Sequence, residues 1–579
     1  MKRAAAVVVL ALAPLWLLGI LGRGLWTPDE PREADITWRM GQQDERALPQ
    51  LAGTPFLEKP PLSYWMSAGA QAVFGDSGPA ARTPNLLFAT ITVLAIGTLA
   101  RALGADLAAA IIAALIAGSA LTALRVAIWL APDAGLLAGN ALALLGAWLG
   151  YRSPAGRGKA GGYLLMHLGA ALGFMAKSAP GWLVPAVALI TLIVWERRWS
   201  ELRRWELYAG FALQALIIGP WLLAVAHSAH GAESLRTMFW NNVVGRFTHV
   251  ASPAALDYTS GHHNTPGKYL LELPLYLLPW TLVVAAALRR AWTRARVHEA
   301  AGSAWRFALC ASVPFLVLLS VAATARDIYA APALLGFALL AGLWAHEVQP
   351  SPDRIDRFAA AATATLMLVM AWIFAAALAV LAAAGSISPA IGIAGALLTV
   401  AAGHSMRSRA VAAQRQADLQ SSLNWTYAGF ACALSIGCLV VLPVIDRWQD
   451  LPRLARSIHS DCAQQSLALL DPDETTIAML DHGFGANFAI VRSDGTSPQA
   501  AVSSWLQAHA DGRLLVLLPG HASGKLSRFL GRFHALAPES DGVAGRLESA
   551  GVAAIVRRYE LPQGRRYALL APPRSAGKL

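Results

Sequence analysis

Charge is scarce in this sequence. Asp, Glu, Lys and Arg make up 14% of the 579 residues, against about a quarter in a typical soluble domain. That shortage excludes an ordinary soluble protein. Cysteine is nearly missing too: Cys310, Cys432, Cys438 and Cys462 have no metal-ligand spacing, and the first three lie in apolar segments. Neither a disulfide framework nor a structural zinc site is implied. A nucleotide fingerprint is also lacking. Gly520-His-Ala-Ser-Gly-Lys525 looks superficially like a phosphate loop, but its glycines stand one residue too close together. No small-x-small cleavage site follows the apolar stretch opened by Lys2-Arg3; the flank reads Leu21-Gly-Arg-Gly-Leu-Trp26. This first segment is therefore expected to be a retained span rather than a signal peptide. The excess of basic residues, a net charge of +12, needs no nucleic acid to explain it, because the topology of a membrane protein supplies such an excess.

What the sequence has in abundance is apolar runs. Hydrophobic residues make up 56% of the chain, and runs of the roughly 20 residues needed to cross a hydrocarbon core recur up to position 445. Thirteen spans are expected, near 4–22, 85–103, 107–124, 129–150, 163–177, 180–195, 207–227, 269–288, 305–323, 328–346, 358–384, 388–404 and 424–445. Arg and Lys gather in alternate short turns, at Arg152, Arg157 and Lys159, at Arg197 to Arg204, at Arg289 to Arg296, at Arg354 and Arg357, and at Arg407 to Arg415. The opposite turns carry few, chiefly Arg125, Lys177 and Arg326. By the positive-inside rule the first set is cytoplasmic. Two long loops, 23–84 and 228–268, and the tail after Arg447 then face outward. The tail mixes an amphipathic stretch at Leu451–Leu467 and a helical one at Ala500–Ala508 with strand-like runs at Thr475–Leu480, Leu514–Leu518, Val552–Tyr559 and Arg566–Leu570. It is expected to be a small α/β domain.

The first outward loop is the richest in chemistry. It opens Trp26-Thr-Pro-Asp-Glu-Pro-Arg-Glu-Ala-Asp35, where Pro31 at the first helical position would leave Asp29 and Glu30 beside unsatisfied backbone N–H groups. Further on, Phe56-Leu-Glu-Lys-Pro-Pro-Leu-Ser-Tyr-Trp65 again sets prolines just after a charge pair, Glu58-Lys59. Each group also has a plainer role. Asp29 and Asp133 could be helix-end carboxylates, Lys59 could snorkel to the interface, Arg326-Asp327 could be a local ion pair, and Arg246, His262 and His263 could be solvated. Lys177 is different, since an uncompensated charge in a very short turn between apolar spans is costly and points to function.

Taken together these motifs resemble the bacterial aminoarabinose transferases and related polyprenyl-phosphate-sugar glycosyltransferases of the protein mannosyltransferase (GT-C) superfamily. Further similarities are Ala131-Pro-Asp-Ala134, Gly173-Phe-Met-Ala-Lys-Ser-Ala-Pro-Gly181, Phe239-Trp-Asn-Asn-Val-Val-Gly-Arg-Phe247, His262-His-Asn-Thr-Pro266 and Arg326-Asp-Ile-Tyr-Ala-Ala-Pro332. The resemblance implies an α-helical polytopic membrane protein of GT-C type: a glycosyltransferase domain at 1–447 and a periplasmic α/β domain at 448–579, in a bacterial inner membrane. The implied reaction moves a sugar from undecaprenyl (polyprenyl) phosphate to a periplasmic acceptor, lipid A of lipopolysaccharide first, with protein or another envelope glycan as the alternative. Asp29, Glu30 and Asp133 are the implied catalytic carboxylates, and Lys59, Lys177, Arg246 and Arg326 the cations for the donor phosphate. A divalent metal, Zn or Mg, would bridge Glu58 to a second-loop histidine. Here Asn241 and Asn242 stand at the local positions, which leaves His262 or His263 to substitute as the ligand. A lipid or sugar flippase is the rival of another class, but it should place charge mid-span on repeated, broken helices. The charged motifs here cluster in one-sided loops.

Overall fold

The computed structural model describes residues 2–44, 46–228, 231–244, 265–297, 300–322, 326–349, 351–485, 487–493, 496–519 and 541–573. Two compact units emerge. The first comprises Met1–Arg23, Met40–Pro49 and Pro55–Leu442; the second comprises Gly24–Arg39, Gln50–Thr54 and Pro443–Leu579.

The first unit is a helical bundle of a multi-pass membrane protein. Among the described residues nine helices are long and apolar enough to cross a membrane, or eleven if the bent pairs Leu107–Ser119 with Leu121–Ile128 and Lys268–Tyr276 with Thr281–Arg294 each count once. The thirteen spans read from the sequence exceed this by two. The extra stretches are helices as well, Arg157–Lys177 and the 17-residue Pro180–Glu196, but the first carries charge at both ends and the second is short. Helices Arg354–Ala383 and Pro389–Arg415 have only 22% of their apolar windows buried, as expected of faces turned to lipid.

The seam that matters most for the site lies between Asp133–Arg152 and Arg157–Lys177. Glycines let the two backbones touch. A Cβ on Gly146 would lie 2.2 Å from the amide nitrogen of Met166, and one on Gly139 would lie 2.5 Å from that of Gly173. Small residues at such spacing replace the hydrophobic drive that is absent between helices in lipid. The tight hairpin fixes axial register, so the first residue of one helix, Asp133, meets the last residue of the other, Lys177. At the far end of the same hairpin the Lys159 ammonium donates to Gly150 O at 2.8 Å and pairs with buried Glu201. Arg306 holds Glu196 there at 2.8 Å, while Arg290 pairs with Asp356 and Glu347. The basic turns singled out by the positive-inside rule thus sit at one end of the bundle, and many of their charges have carboxylate partners.

The second unit is built on a mixed five-stranded sheet. In chain order its strands follow two two-residue strands, β1 (Gln50–Leu51) and β2 (Thr54–Pro55), which flank the turn Ala52-Gly53. The sheet consists of β3 (Leu467–Leu470), β4 (Phe488–Val491), β5 (Arg513–Leu518), β6 (Ala554–Glu560) and β7 (Arg566–Ala571), in the order β4-β3-β5-β7-β6. β3 runs parallel to β4 and β5, and β7 antiparallel to β5 and β6. Alternate residues of β3 serve opposite faces: Leu467 and Leu469 join one apolar cluster, Ala468 and Leu470 the other, as the period of two in a strand requires.

Two sequence expectations fail in this unit. Thr475–Leu480 belongs to a helix, Glu474–Phe484, rather than a strand. Its Asp473 accepts from Thr476 N at 3.0 Å, and Gly485 ends it in the left-handed region at φ 54. Caps at both ends outweigh the weak β preference of two threonines and an isoleucine. Conversely, β3 is an all-buried strand of which the expected amphipathic stretch Leu451–Leu467 covers only the first residue. A short apolar run with no polar alternation has no period to reveal it.

Candidate functional site

At the end of the bundle away from the basic turns, Lys177 closes its helix and pairs with Asp133 at 2.5 Å. Its ammonium also lies 4.9 Å from the centre of the Tyr329 ring. The turn beyond is strained: Ser178 has φ 63 and ψ −140, a conformation that costs a non-glycine residue about 1–3 kcal/mol. A Cβ on Gly181 would lie 2.1 Å from Phe174 N, so the next helix can fold back against the first only because position 181 is glycine. Pro180 starts that helix at its favoured first position. A stiff, sharp turn therefore presents the ammonium, and Asp133 offsets the cost of its charge.

Tyr329 belongs to the short 3-10 helix Asp327–Ala330, whose N-terminal neighbour is Arg326. Tyr329 N donates to Arg326 O at 3.0 Å, and the Tyr269 hydroxyl donates to the same carbonyl at 3.3 Å. Asp327 pairs with Lys268 at 2.9 Å. The sequence-predicted Asp133, Lys177 and Arg326 are in this way gathered around one short segment. Lys59 and Glu58 approach from the loop: their side chains lie 3.7 Å apart and nearly buried, with the ammonium 5.7 Å from the Phe56 ring. Leu57 packs in a cluster with Phe174 and Met175, one turn before Lys177. Just beyond Lys59, Ser63 Oγ would be 3.4 Å from a Cβ on Gly135. The Glu58-Lys59 pair is thus anchored beside the same helix ends. The second-loop motif arrives there too, since Phe239 stacks on Phe174 with centroids 6.1 Å apart. Arg246 and His263, with His262, lie outside the described residues.

Asp29 and Glu30 belong to the second unit. Helix Glu30–Gln42 starts one residue earlier than expected, which puts Pro31 at its second position. Asp29 meets Arg32 at 3.2 Å; Arg32 also holds Glu33 at 2.7 Å and pairs with Glu474. The Glu30 carboxylate accepts from Trp26 N at 2.9 Å. Asp35, the last residue of the motif, is fully buried. One of its oxygens accepts from Ala52 N at 3.1 Å, and the other has no partner among the described residues in the ionised form. Burial first, then the hydrogen bond and the charge of Asp481, push its pKa up to about 8. The protonated form of Asp35 is therefore the favoured one beside Asp481. Asp481 is in turn gripped by Arg39 through two bonds of 2.5 and 2.6 Å.

Residues 4–235 match the family model of dolichyl-phosphate-mannose-protein mannosyltransferases. The undecaprenyl phosphate-alpha-4-amino-4-deoxy-L-arabinose arabinosyl transferase of Edwardsiella ictaluri is 31% identical over 327 residues, 56% of either chain. Its counterpart in Pseudomonas paraeruginosa is 30% identical over 379 residues, 65% of either chain. The chain thus spans between about half and two thirds of the length of these curated relatives. Against the crystal structure of ArnT from Cupriavidus metallidurans bound to undecaprenyl phosphate, the TM-score is 0.68 over 99% of both chains, at 18% identity. The protein has the fold of ArnT.

Within the ArnT fold, the sequence reading missed two elements of the site end. Tyr329 lies within Arg326-Asp-Ile-Tyr-Ala-Ala-Pro332, but nothing in that stretch signals that its ring will face a lysine 152 positions earlier in the chain. Lys268 was missed because it opens a helix as ordinary terminal lysines do. Among the described residues no three His, Cys, Asp or Glu side chains gather to hold a metal. Of the expected ligand pair only Glu58 is described, and it has the Lys59 ammonium at 3.7 Å.

Proposed function

We propose that the protein is a glycosyltransferase that moves a sugar, of the aminoarabinose type, from undecaprenyl phosphate to lipid A at the periplasmic face of a bacterial inner membrane. The observation that carries this reading is the Lys177–Asp133 pair held against Tyr329 at one end of an ArnT-like bundle, together with the similarity to two transferases whose names state an undecaprenyl phosphate-linked aminoarabinose donor.

The chemistry follows from the groups. The bond between the anomeric carbon and the donor phosphate oxygen breaks, and a bond from the acceptor oxygen to that carbon forms. Negative charge builds on the departing polyprenyl phosphate. Fixed cations stabilise it more in the transition state than in the bound donor. Lys177 and Lys59 supply them, with Arg326 and Arg246 as the further phosphate-binding pair. Asp133 aims Lys177, and Glu58 aims Lys59. The Tyr329 hydroxyl is a donor for a phosphate oxygen. Asp29 takes the proton of an acceptor hydroxyl, with Glu30 bracing the turn that presents it. If the acceptor is a lipid A phosphate, already ionised, Asp29 orients it instead. No nucleotide is consumed, because the phosphate–sugar bond supplies the driving force. If a divalent ion occupies Glu58 and His263, it adds a further positive charge for the phosphate.

The direct test is a transfer assay with purified protein, undecaprenyl phosphate-aminoarabinose and lipid A. Sugar should move to lipid A, and Lys177→Ala should reduce transfer about 100-fold or more, in line with the loss of a positioned charge-stabilising donor. No transfer by well-folded protein from that donor would overturn the reading.

A further inference from the structure

The second unit contains a groove of about 680 Å³ that the proposed reaction does not use. It lies at the N-terminal ends of the parallel strands, where Leu467 begins β3, Phe488 begins β4 and Asp511 precedes β5. Ligands of open parallel sheets bind beyond the opposite, carboxyl ends of the strands, so this is not a nucleotide crevice in another guise. Its floor is distinctive. Trp505 and His509 line it and stack on each other, with ring centroids 4.5 Å apart and planes 13° from parallel. His509 Nδ1 is 2.9 Å from Trp505 O, which fixes the second ring over the first. A Cβ on Gly512 would lie 2.6 Å from Trp505 Cζ3; glycine there lets the indole settle. Both rings stay half-buried rather than buried.

Around this platform stand Gln464, Gln465, Asn487 and Asp511. Gln465 Oε1 is buried without a hydrogen-bond partner among the described residues, although a buried amide oxygen normally has one. Arg39 in the wall is already matched, because Asp481 accepts two hydrogen bonds from it. Among the described residues no loose cation lines the groove to mark it as an anion site. A fixed aromatic face beside amides, which donate and accept, and a carboxylate, which only accepts, is complementary to a pyranose ring. Its C–H face lies on the indole, and its hydroxyl or amino groups both donate and accept at the rim.

We propose that this groove binds a saccharide, one or two neutral or amino pyranose units. An extended peptide added to the edge strand β4 is the competing occupant. It is disfavoured because the aromatic pair and the unpartnered amide cluster at the strand ends, not along the four residues of the edge. That the bound glycan is part of the transfer acceptor rests on the proposed function; saccharide binding itself does not.

Saturation-transfer NMR and titration calorimetry on the full-length protein in detergent test this, with a glucosamine disaccharide, maltose and a valine-rich heptapeptide as probes. At least one disaccharide should bind in the millimolar range or tighter. Trp505→Ala and Gln465→Ala should each weaken it at least fivefold, and Trp505→Phe should restore most of the loss. Melting temperatures are read alongside; if Trp505→Ala fails to fold, Gln465→Ala carries the comparison. Absence of binding by both disaccharides, affinity unchanged in Gln465→Ala, or displacement of the disaccharide by the heptapeptide would each overturn the proposal. Transfer activity without saccharide binding sinks this inference alone, whereas binding without transfer sinks only the enzymatic reading.

Discussion

Lys177 and Asp133 show how one residue pair distinguishes a structural role from a functional one. If the pair only neutralises a charge at the bundle end, Lys177→Met, which removes the charge and keeps the length, should be tolerated in activity. If Lys177 binds the donor phosphate, Lys177→Met should weaken undecaprenyl phosphate binding by about tenfold or more, since hydrogen bonds to charged groups contribute roughly 1.5–3 kcal/mol. Asp133→Asn should leave binding closer to normal and lower turnover, because the ammonium remains but loses its aim. Isothermal binding and transfer kinetics on the two variants separate these outcomes. Asp35 offers a test by pH. In the unfolded chain its pKa is about 3.9, and in the folded protein burial beside Asp481 raises it to about 8. Between those values the native state holds a proton that the unfolded state has released, so stability from this group is full below about pH 4 and is lost as pH rises through about 8. Thermal melts should therefore show the second unit weakening from pH 5 to pH 8. Asp35→Asn should flatten that slope and raise the melting temperature at pH 8; a slope unchanged in the variant would contradict the raised pKa of Asp35.

Elements position these residues, and the glycine seam is the element that matters most. Gly146 faces a backbone nitrogen 2.2 Å from where its Cβ would be, so Gly146→Val must push the hairpin Asp133–Arg152/Arg157–Lys177 apart. The expected result is a clear loss of thermal stability, with transfer impaired even in molecules that still fold, because the Asp133–Lys177 register slips. Gly161→Val, whose Cβ would meet nothing within 4 Å, is the matching control and should behave like the parent. Legibility at this scale follows physics. Long apolar helices were plain in the sequence because twenty residues of hydrophobicity leave no alternative. Lys177 stood out because charge in a tight apolar turn is conspicuous. The Asp133–Lys177 contact was not legible, since a glycine seam sets register only once the partner helix is known. Nor was β3, whose four apolar residues carry no period. Thr475–Leu480 was misread because Asp473 and Gly485 lie outside the stretch that looked like a strand; Asp473→Ala should cost about 1 kcal/mol in the stability of that unit, measured by chemical denaturation.

For the whole molecule, sequence and fold point the same way. One end of the bundle gathers the basic turns with their carboxylates, and the other gathers Lys177, Asp133, Tyr329 and the Glu58-Lys59 loop. The positive-inside rule applied to the basic turns predicts that the tail after Arg447 lies outside. A cysteine introduced at Ser503, in a background with the four native cysteines replaced by serine, should then react with an impermeant maleimide in intact spheroplasts. Reaction only after permeabilisation would reverse the orientation and with it the compartment of the reaction. The proposed sugar transfer from undecaprenyl phosphate to lipid A is read out by mass spectrometry of lipid A. Cells that make the aminoarabinose donor but lack their own transferase are compared with and without this chain, and with its Lys177→Ala variant. Lipid A should carry added aminoarabinose only when the unaltered chain is present. Lipid A of identical mass in all three strains, with the protein folded in the membrane, would contradict it.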